Sequence, residues 1–199
     1  IEDVTETMAG FVKQGKIKAI GYSEISPASL RRAHAVHPIA AVQSEYSLST
    51  RAPELGLLQL CEEIGATLVA FSPVGRSLLT DRPHSADTAQ TMPFLKQNPR
   101  FCAPNLQYNL EYNKRFRALA ADLGVSAATL AIAWVIHQSD QIIAIPGTRN
   151  LHHLSEVAHG GSFDLTPEME RQIEEVLPVG WAHGDRYSVG QWNGPERYC

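Results

Sequence analysis

Four clusters of polar, glycine or aromatic residues follow short apolar segments of this chain, and they hold the side chains best suited to binding chemistry. The hydroxyl of Ser23 and the amide of Gln43 can each donate and accept hydrogen bonds. Phe71 offers a flat ring for stacking. The guanidinium groups of Arg76 and Arg149 can bind an anion through paired hydrogen bonds. Side chains of these types can hold a polar, phosphate-bearing ligand where the fold brings them together.

The elements around these clusters predict an α/β fold. The apolar segments 17–20, 40–42, 67–70 and 142–145 alternate with stretches of helical periodicity. Strands that alternate with helices are normally parallel, and parallel strands end at one edge of the sheet, where α/β folds bind ligands. The clusters are therefore expected to meet on one rim.

Caps, glycines and prolines give the predicted boundaries of the elements. The predicted strands cover residues 16–20, 39–43, 67–71 and 141–145, and the predicted helices cover residues 1–14, 26–37, 53–64, 108–123, 126–137, 151–158 and 166–177. Residues 77–107 hold four prolines and no steady period, which is typical of a functional loop or a disordered segment. Residues 178–199 read as an irregular tail.

Composition limits the function classes. A net charge of −4 without a basic run argues against a nucleic-acid partner. No signal peptide or membrane-length apolar stretch is present, and Cys61, Cys102 and Cys199 form an odd, sparse set, so we expect free thiols in a cytoplasmic protein. Because the chain begins with Ile1 rather than Met, we interpret it as a segment of a longer protein or a chain that has lost its start.

Four motifs in order resemble those of the aldo-keto reductase family. They are Gly-Lys-Ile-Lys-Ala-Ile-Gly-Tyr-Ser at 15–23, Val-Gln-Ser-Glu-Tyr-Ser-Leu at 42–48, Val-Ala-Phe-Ser-Pro-Val-Gly-Arg-Ser-Leu-Leu-Thr at 69–80 and Ile-Pro-Gly-Thr-Arg at 145–149. The resemblance runs from residue 1 to about residue 187. It implies a (β/α)8 barrel of the TIM type, of which this chain, as a single domain over residues 1–199, covers about the last four strands and their helices.

The resemblance also implies a cofactor site for NADPH. Ser23 and Gln43 are expected to hydrogen-bond the nicotinamide carboxamide, and Phe71 stands where the family usually places a tyrosine that stacks on the nicotinamide. The turn at 72–76 is expected to meet the pyrophosphate, while the 147–149 loop and the helix start after it favour a 2′-phosphate and hence NADPH over NADH. The whole predicted set is Ser23, Gln43, Phe71, Ser72, Pro73, Val74, Gly75, Arg76, Gly147, Thr148, Arg149, His153 and Glu156.

Three positions depart from the family pattern or match it weakly. Glu24 stands where many relatives carry Asn, and a carboxylate cannot donate an amide N–H. Val157 stands where the family often has an Asn that contacts adenine, which leaves Glu156 as the carried-over polar group. His153 takes the place of a cationic adenine-end residue of some relatives.

The activity implied by the resemblance is NADPH-dependent reduction of an aldehyde or ketone carbonyl. The family's catalytic Asp, Tyr, Lys and His would precede Ile1, so we assign no catalytic residue here and expect this chain alone to be inactive. The alternative is a non-catalytic nucleotide-binding or regulatory subunit of the same fold. The loop at 77–107 would act as a lid, and the open sheet would pair with the missing N-terminal half or with a second copy.

The same residues also allow interpretations without a cofactor, and other kinds of site were weighed against the sequence. Ser23 and Gln43 can be ordinary strand-end residues, Phe71 a core residue, and Arg76 and Arg149 solvated charges. Adjacent or closely spaced histidines (34 and 37, 152 and 153) lack zinc-site spacing, so no metal ligand is assigned. No Gly-x-Ser-x-Gly nucleophile motif occurs, and Cys61 falls on a helix core face.

Overall fold

A computed structural model describes residues 1–198, and Cys199, expected above as a free thiol and as the end of the tail, lies outside the described residues. The sheet has four strands in the order β1-β2-β3-β4, and every neighbouring pair is parallel. The strands are β1 Ile20–Ser23, β2 Ile39–Glu45, β3 Thr67–Phe71 and β4 Ile142–Ile145. The parallel α/β sheet is confirmed, and all four C-terminal strand ends lie at one edge.

Eight α-helices accompany the sheet within residues 1–198. They are α1 Glu2–Lys13, α2 Pro27–Val36, α3 Leu57–Ile64, α4 Ala86–Thr91, α5 Asn105–Asp122, α6 Ala127–His137, α7 Leu151–Gly160 and α8 Pro167–Val176. The predicted caps Ser26, Ser126 and Thr166 each accept a hydrogen bond from a backbone N–H in the first turn. These helices therefore begin where the sequence predicts.

One face of the sheet packs on the helices and the other face is open. Ile20, Leu68 and Ile142 point into the helical layer and are buried. Ile143 and Ile145 point the other way and are 56% and 42% exposed. Alternate side chains of a strand face opposite sides, so this contrast shows which side chains are free to meet a ligand or a partner.

The first strand is displaced from its predicted position. The prediction of residues 16–20 is wrong, because Gly15 adopts a left-handed φ of 69° and the Lys16 N–H returns to the Phe11 carbonyl, which closes α1 with a turn. Pairing with β2 begins only at Ile20. Ser23 is therefore the last residue of β1 rather than a loop residue after it.

The helix predicted at 53–64 also begins late. Residues Ala52–Glu54 form a short 3-10 turn, and Gly56, with a φ of 108°, separates this turn from α3. A left-handed residue interrupts the helical hydrogen-bond ladder, so the periodic signal around Pro53 extended the prediction too far.

The segment 77–107 is more ordered than the prediction of an aperiodic loop. It holds α4, two short 3-10 turns and the beginning of α5. Buried amides position it: Asn113 donates to the Leu78 and Thr80 carbonyls, and the side chain of Asn109 donates to the carbonyl of Arg100. Buried amide hydrogen bonds of this kind produce no hydrophobic periodicity, so the sequence pattern does not reveal this order.

Within residues 1–198, no single helix is long and apolar enough to cross a bilayer. Only α5 and α6 taken together have the length and apolar composition that a membrane-spanning segment requires, and these two helices meet at an angle of 89°.

We predict that Gly160 is required for the contact of α7 with α6. A Cβ atom at Gly160 would lie 2.6 Å from the Ile132 Cβ and 2.8 Å from the Thr129 carbonyl. Gly160→Ala should therefore lower the free energy of unfolding by about 1–3 kcal/mol, as overpacking usually does. Gly10→Ala is the control, since nothing lies within 4 Å of its new methyl group. It should be neutral or stabilising in urea unfolding, and equal losses for the two variants would contradict the prediction.

Candidate functional site

Ser23, Gln43 and Phe71 lie together at the C-terminal ends of neighbouring strands. Ser23 is paired with Gln43 in the sheet, and Phe71 is paired with Glu45 on one side and Ile145 on the other. The side chains of Ser23 and Gln43 are exposed and form no hydrogen bond within the part of the chain described. Their donors and acceptors are therefore available to an amide-bearing ligand beside the half-buried Phe71 ring.

A groove of about 1310 Å³ continues from this row of residues. It runs between the loop after β3 and the segment formed by the loop after β4 and α7, and Ile145, the sheet neighbour of Phe71, is on its wall. Nine of the thirteen predicted cofactor residues line it: Ser72, Pro73, Val74, Arg76, Gly147, Thr148, Arg149, His153 and Glu156. The other four lie at the strand ends or, for Gly75, inside the turn.

The turn after β3 has an unusual backbone. Ser72, Gly75, Arg76 and Ser77 all have positive φ values, between 51° and 77°. Non-glycine residues in this region are strained, and such strain often marks functional sites. The Gly75 N–H is used inside the turn, where it donates to the Ser72 carbonyl, and Pro73 has no N–H to offer. The Val74, Arg76 and Ser77 N–H groups donate no hydrogen bond within residues 1–198, and those of Arg76 and Ser77 stand beside the Arg76 guanidinium as donors for an anion.

The far end of the groove has two arginines, Arg82 and Arg149, without an ion-pair partner in the described chain. Two carboxylates, Asp81 and Glu156, also line the groove. Asp81 accepts from the Ala127 N–H, and Glu156 lies 3.6 Å from His152. The guanidinium groups of Arg82 and Arg149 therefore remain available to pair with an anionic group of a ligand.

The N-terminus of α7 contributes less to anion binding than the sequence suggests. The side chain of Asn150 accepts hydrogen bonds from the His152 and His153 N–H groups, and Thr148 accepts from the Asn150 N–H. These backbone donors are already satisfied. The guanidinium groups, rather than the helix terminus, carry the electrostatic attraction at this end.

The Arg76 side chain is largely buried and is paired with a carboxylate, so it is not a solvated surface charge. Its two terminal nitrogens donate to the two oxygens of Glu45, each at 2.8 Å, and the Glu45 side chain is fully buried. The Phe94 and Tyr187 ring centroids lie 4.9 and 5.5 Å from its guanidinium carbon. The guanidinium is thus held in place on the wall of the groove.

Two further arginines approach the same carboxylate. Arg186 lies 3.7 Å and Arg100 3.9 Å from the oxygens of Glu45, and Thr50 donates to it at 3.1 Å. Burial lowers the pKa of Arg100 to about 10, although the negative charge of Glu45 opposes this shift. Sequence analysis missed Glu45, Arg100 and Arg186, because they lie far apart in the chain and share no motif.

The departure at Glu24 has a structural explanation. One oxygen of Glu24 accepts from the Glu45 backbone N–H at 2.8 Å, and the other accepts from Arg186 in the C-terminal tail. Burial is the largest single effect on the pKa of Arg186 and would lower it, but the hydrogen bond to Glu24 and the negative charges of Glu24 and Glu45 together raise the pKa. The Glu24 carboxylate therefore forms an ion pair with the C-terminal tail.

The described part of the tail after α8 holds one short 3-10 turn, at Val189–Gln191, and is docked onto the rest of the chain. The Trp181 indole is buried and donates to the Leu48 carbonyl at 2.8 Å, so this residue packs the tail onto the loop after β2. The Glu196 side chain accepts from the Ser26 N–H at 2.8 Å, and its N–H donates to the Glu24 carbonyl. The tail thereby reaches the C-terminal end of β1.

Sequence comparisons point to one family. A sequence model of the Aldo/keto reductase family matches residues 1–178. "Probable aldo-keto reductase 1" of Glycine max is 38% identical over 190 residues, which are 96% of this chain and 55% of that protein. "Aldo-keto reductase str7" of Strobilurus tenacellus is 37% identical over 189 residues, 94% of this chain and 56% of that protein. The chain spans about half the length of these curated relatives.

Solved structures give the same result for the fold. A glycerol dehydrogenase from Gluconobacter oxydans matches with a TM-score of 0.74 and 27% identity, over 88% of this chain and 54% of that chain. A thermostable aldo-keto reductase, solved in complex with the inhibitor epalrestat, matches with a TM-score of 0.66 and 25% identity over the same shares of the two chains. The parallel α/β fold is thus similar to that of aldo-keto reductase TIM barrels.

We predict that the Glu24–Arg186 pair stabilises the docked tail. Glu24→Asn leaves the buried Arg186 without its main partner and should lower the free energy of unfolding by about 3 kcal/mol. Glu63→Gln is the control, because the Glu63–Arg31 pair is exposed and such pairs contribute little. Urea unfolding distinguishes them, and a Glu24→Asn variant as stable as the control would refute the prediction.

Proposed function

The chain belongs to the aldo/keto reductase family, and we propose that it forms the NADPH-binding part of an oxidoreductase that reduces aldehyde or ketone carbonyls. On this proposal its four strands correspond to the last four strands of the family's barrel. The observation that carries it is the groove, which begins at Ile145 beside Phe71 and ends at guanidinium groups that have no ion-pair partner within residues 1–198. A dinucleotide with a 2′-phosphate has matching groups at its two ends.

The residues present fit this cofactor. Ser23 and Gln43 offer free hydrogen-bonding groups for a carboxamide, and the Phe71 ring offers a stacking face. The Arg76 and Ser77 N–H groups offer donors for a pyrophosphate. Bound NADPH would supply the hydride that reduces the carbonyl carbon. The described residues would orient the cofactor, and the groups that protonate the carbonyl oxygen lie, on this proposal, on strands outside these 199 residues.

The two arginines at the far end support NADPH rather than NADH. Arg149 and Arg82 have no ion-pair partner within residues 1–198, and a 2′-phosphate would provide an anionic one. The proposed compartment is the cytoplasm, which is supported by the free thiols of Cys61 and Cys102.

We predict that Arg149→Met removes the discrimination between the two cofactors. NADPH affinity should fall about tenfold, as expected for the loss of a charged hydrogen bond, while NADH affinity should stay unchanged. Titration of the chain with each cofactor, followed by nicotinamide fluorescence, measures both.

Arg171→Met is the matched control, because Arg171 is exposed on α8 and does not line the groove. It should bind NADPH like the unmodified chain. Equal NADPH affinity for the two variants would contradict the assignment of Arg149, and no NADPH binding by the unmodified chain would contradict the proposed function.

We further propose that the open face of the sheet is a docking face, covered by the complementary half of a barrel or by a second copy of this chain. The exposed Ile143 and Ile145 support this proposal, as do the edges of β1 and β4, which pair with no further strand within residues 1–198. The isolated chain should therefore be oligomeric in light scattering, and Ile143→Lys should shift it toward monomer. A monodisperse monomer before the substitution would contradict the proposal.

A further inference from the structure

Arg76 is held so that part of its guanidinium remains available to a ligand. A guanidinium has five N–H donors, and the contact with Glu45 uses two of them. The group lines the groove beside Ser72 and Ser77, at the turn with free backbone N–H groups. An arginine fixed in this way loses less conformational freedom when an anion binds than a mobile arginine would.

The C-terminal tail provides part of that fixation. Tyr187 belongs to the tail, and its ring lies over both Arg76 and Arg186. It also packs edge-on against Phe94, whose ring is the other one beside Arg76. The guanidinium of Arg76 therefore has a carboxylate in its plane and aromatic rings near it, and one of those rings comes from the tail.

The tail and the groove also share a carboxylate. Glu45 binds Arg76 through both oxygens, while Arg186 approaches it at 3.7 Å and is held by Glu24. The Asn98 side chain donates to the Arg186 carbonyl, which fixes the backbone of the tail at the same point. Displacing the tail would remove the Tyr187 ring from Arg76 and leave Glu45 with fewer positive neighbours.

We propose that Glu45 and Tyr187 are positioning residues for Arg76, and that pyrophosphate binding in the groove and docking of the tail at residues 185–196 stabilise each other. This inference rests on the proposed function, because the pyrophosphate is that of the dinucleotide. Coupling between two sites is reciprocal. A docked tail raises the affinity for the dinucleotide, and the bound dinucleotide slows opening of the tail.

The first test compares two aromatic substitutions. Tyr187→Leu removes the ring over Arg76, whereas Phe11→Leu, the matched control, removes a ring that lies against Lys16, away from the tail and the groove. The Kd for NADPH should rise about tenfold in Tyr187→Leu, within the usual range of coupling between sites, and should not change in the control. The Kd for adenosine 2′-monophosphate, which lacks the pyrophosphate, should be the same in both variants, and a general structural defect would raise it too.

The second test measures the tail. Hydrogen exchange of the amides of Trp192 and Glu196, which donate to Ser188 and Glu24, should slow when NADPH binds. The slowing should be lost in Glu45→Gln. In the ligand-free chain, Arg76→Met should speed the same exchange.

The outcomes separate the two proposals. Normal NADPH affinity in Tyr187→Leu, or tail exchange that does not respond to NADPH, overturns the coupling while leaving the proposed function intact. If the unmodified chain binds neither NADPH nor adenosine 2′-monophosphate, the proposed function fails. In that case the ligand-free comparison still decides the link between Arg76 and the tail, and unchanged exchange in Arg76→Met overturns it.

Discussion

The candidate site depends on the ion pairs and hydrogen bonds that the buried Glu45 carboxylate forms. A fully buried negative charge is costly unless it is paired and hydrogen-bonded, and Glu45 meets this requirement with Arg76, Thr50 and the nearby Arg186. Each partner comes from a different segment: the turn after β3, the loop after β2 and the C-terminal tail. Neutralising one carboxylate therefore brings three irregular segments together at the strand ends, where no regular backbone ladder would hold them.

The parallel sheet supplies the second constraint. Its register places Ser23 beside Gln43 and, two residues further along the strands, Phe71 between Glu45 and Ile145, and Ile145 lines the groove. Successive side chains of each strand face opposite sides of the sheet. One set packs against the helical layer, and the other set forms the open surface that is proposed to bind a ligand or a partner.

Much of the fold follows from local sequence signals, whereas the contacts of the site do not. Ser26, Ser126 and Thr166 predict helix starts because capping is a local interaction. The displacement of β1 was not predictable, because the strand is defined by pairing with Ile39 rather than by its own apolar residues. The family resemblance predicted nine of the residues that line one groove, and seven of them lie in the four motifs. No sequence pattern joins Glu24 to Arg186, since a buried ion pair over 162 residues leaves no periodic or spacing signal.

The close approach of α7 to α6 has a mechanical consequence for the groove. The helix touches Ile132 and Thr129 at Gly160, its last residue, and carries Asn150 and Arg149 at its opposite end. The Thr129 hydroxyl also donates to the Glu156 carbonyl at 2.8 Å, in the middle of α7. Attachment at two points fixes α7 on α6. The wall of the groove that carries His153 and Glu156 is therefore held by the helical layer rather than by the sheet.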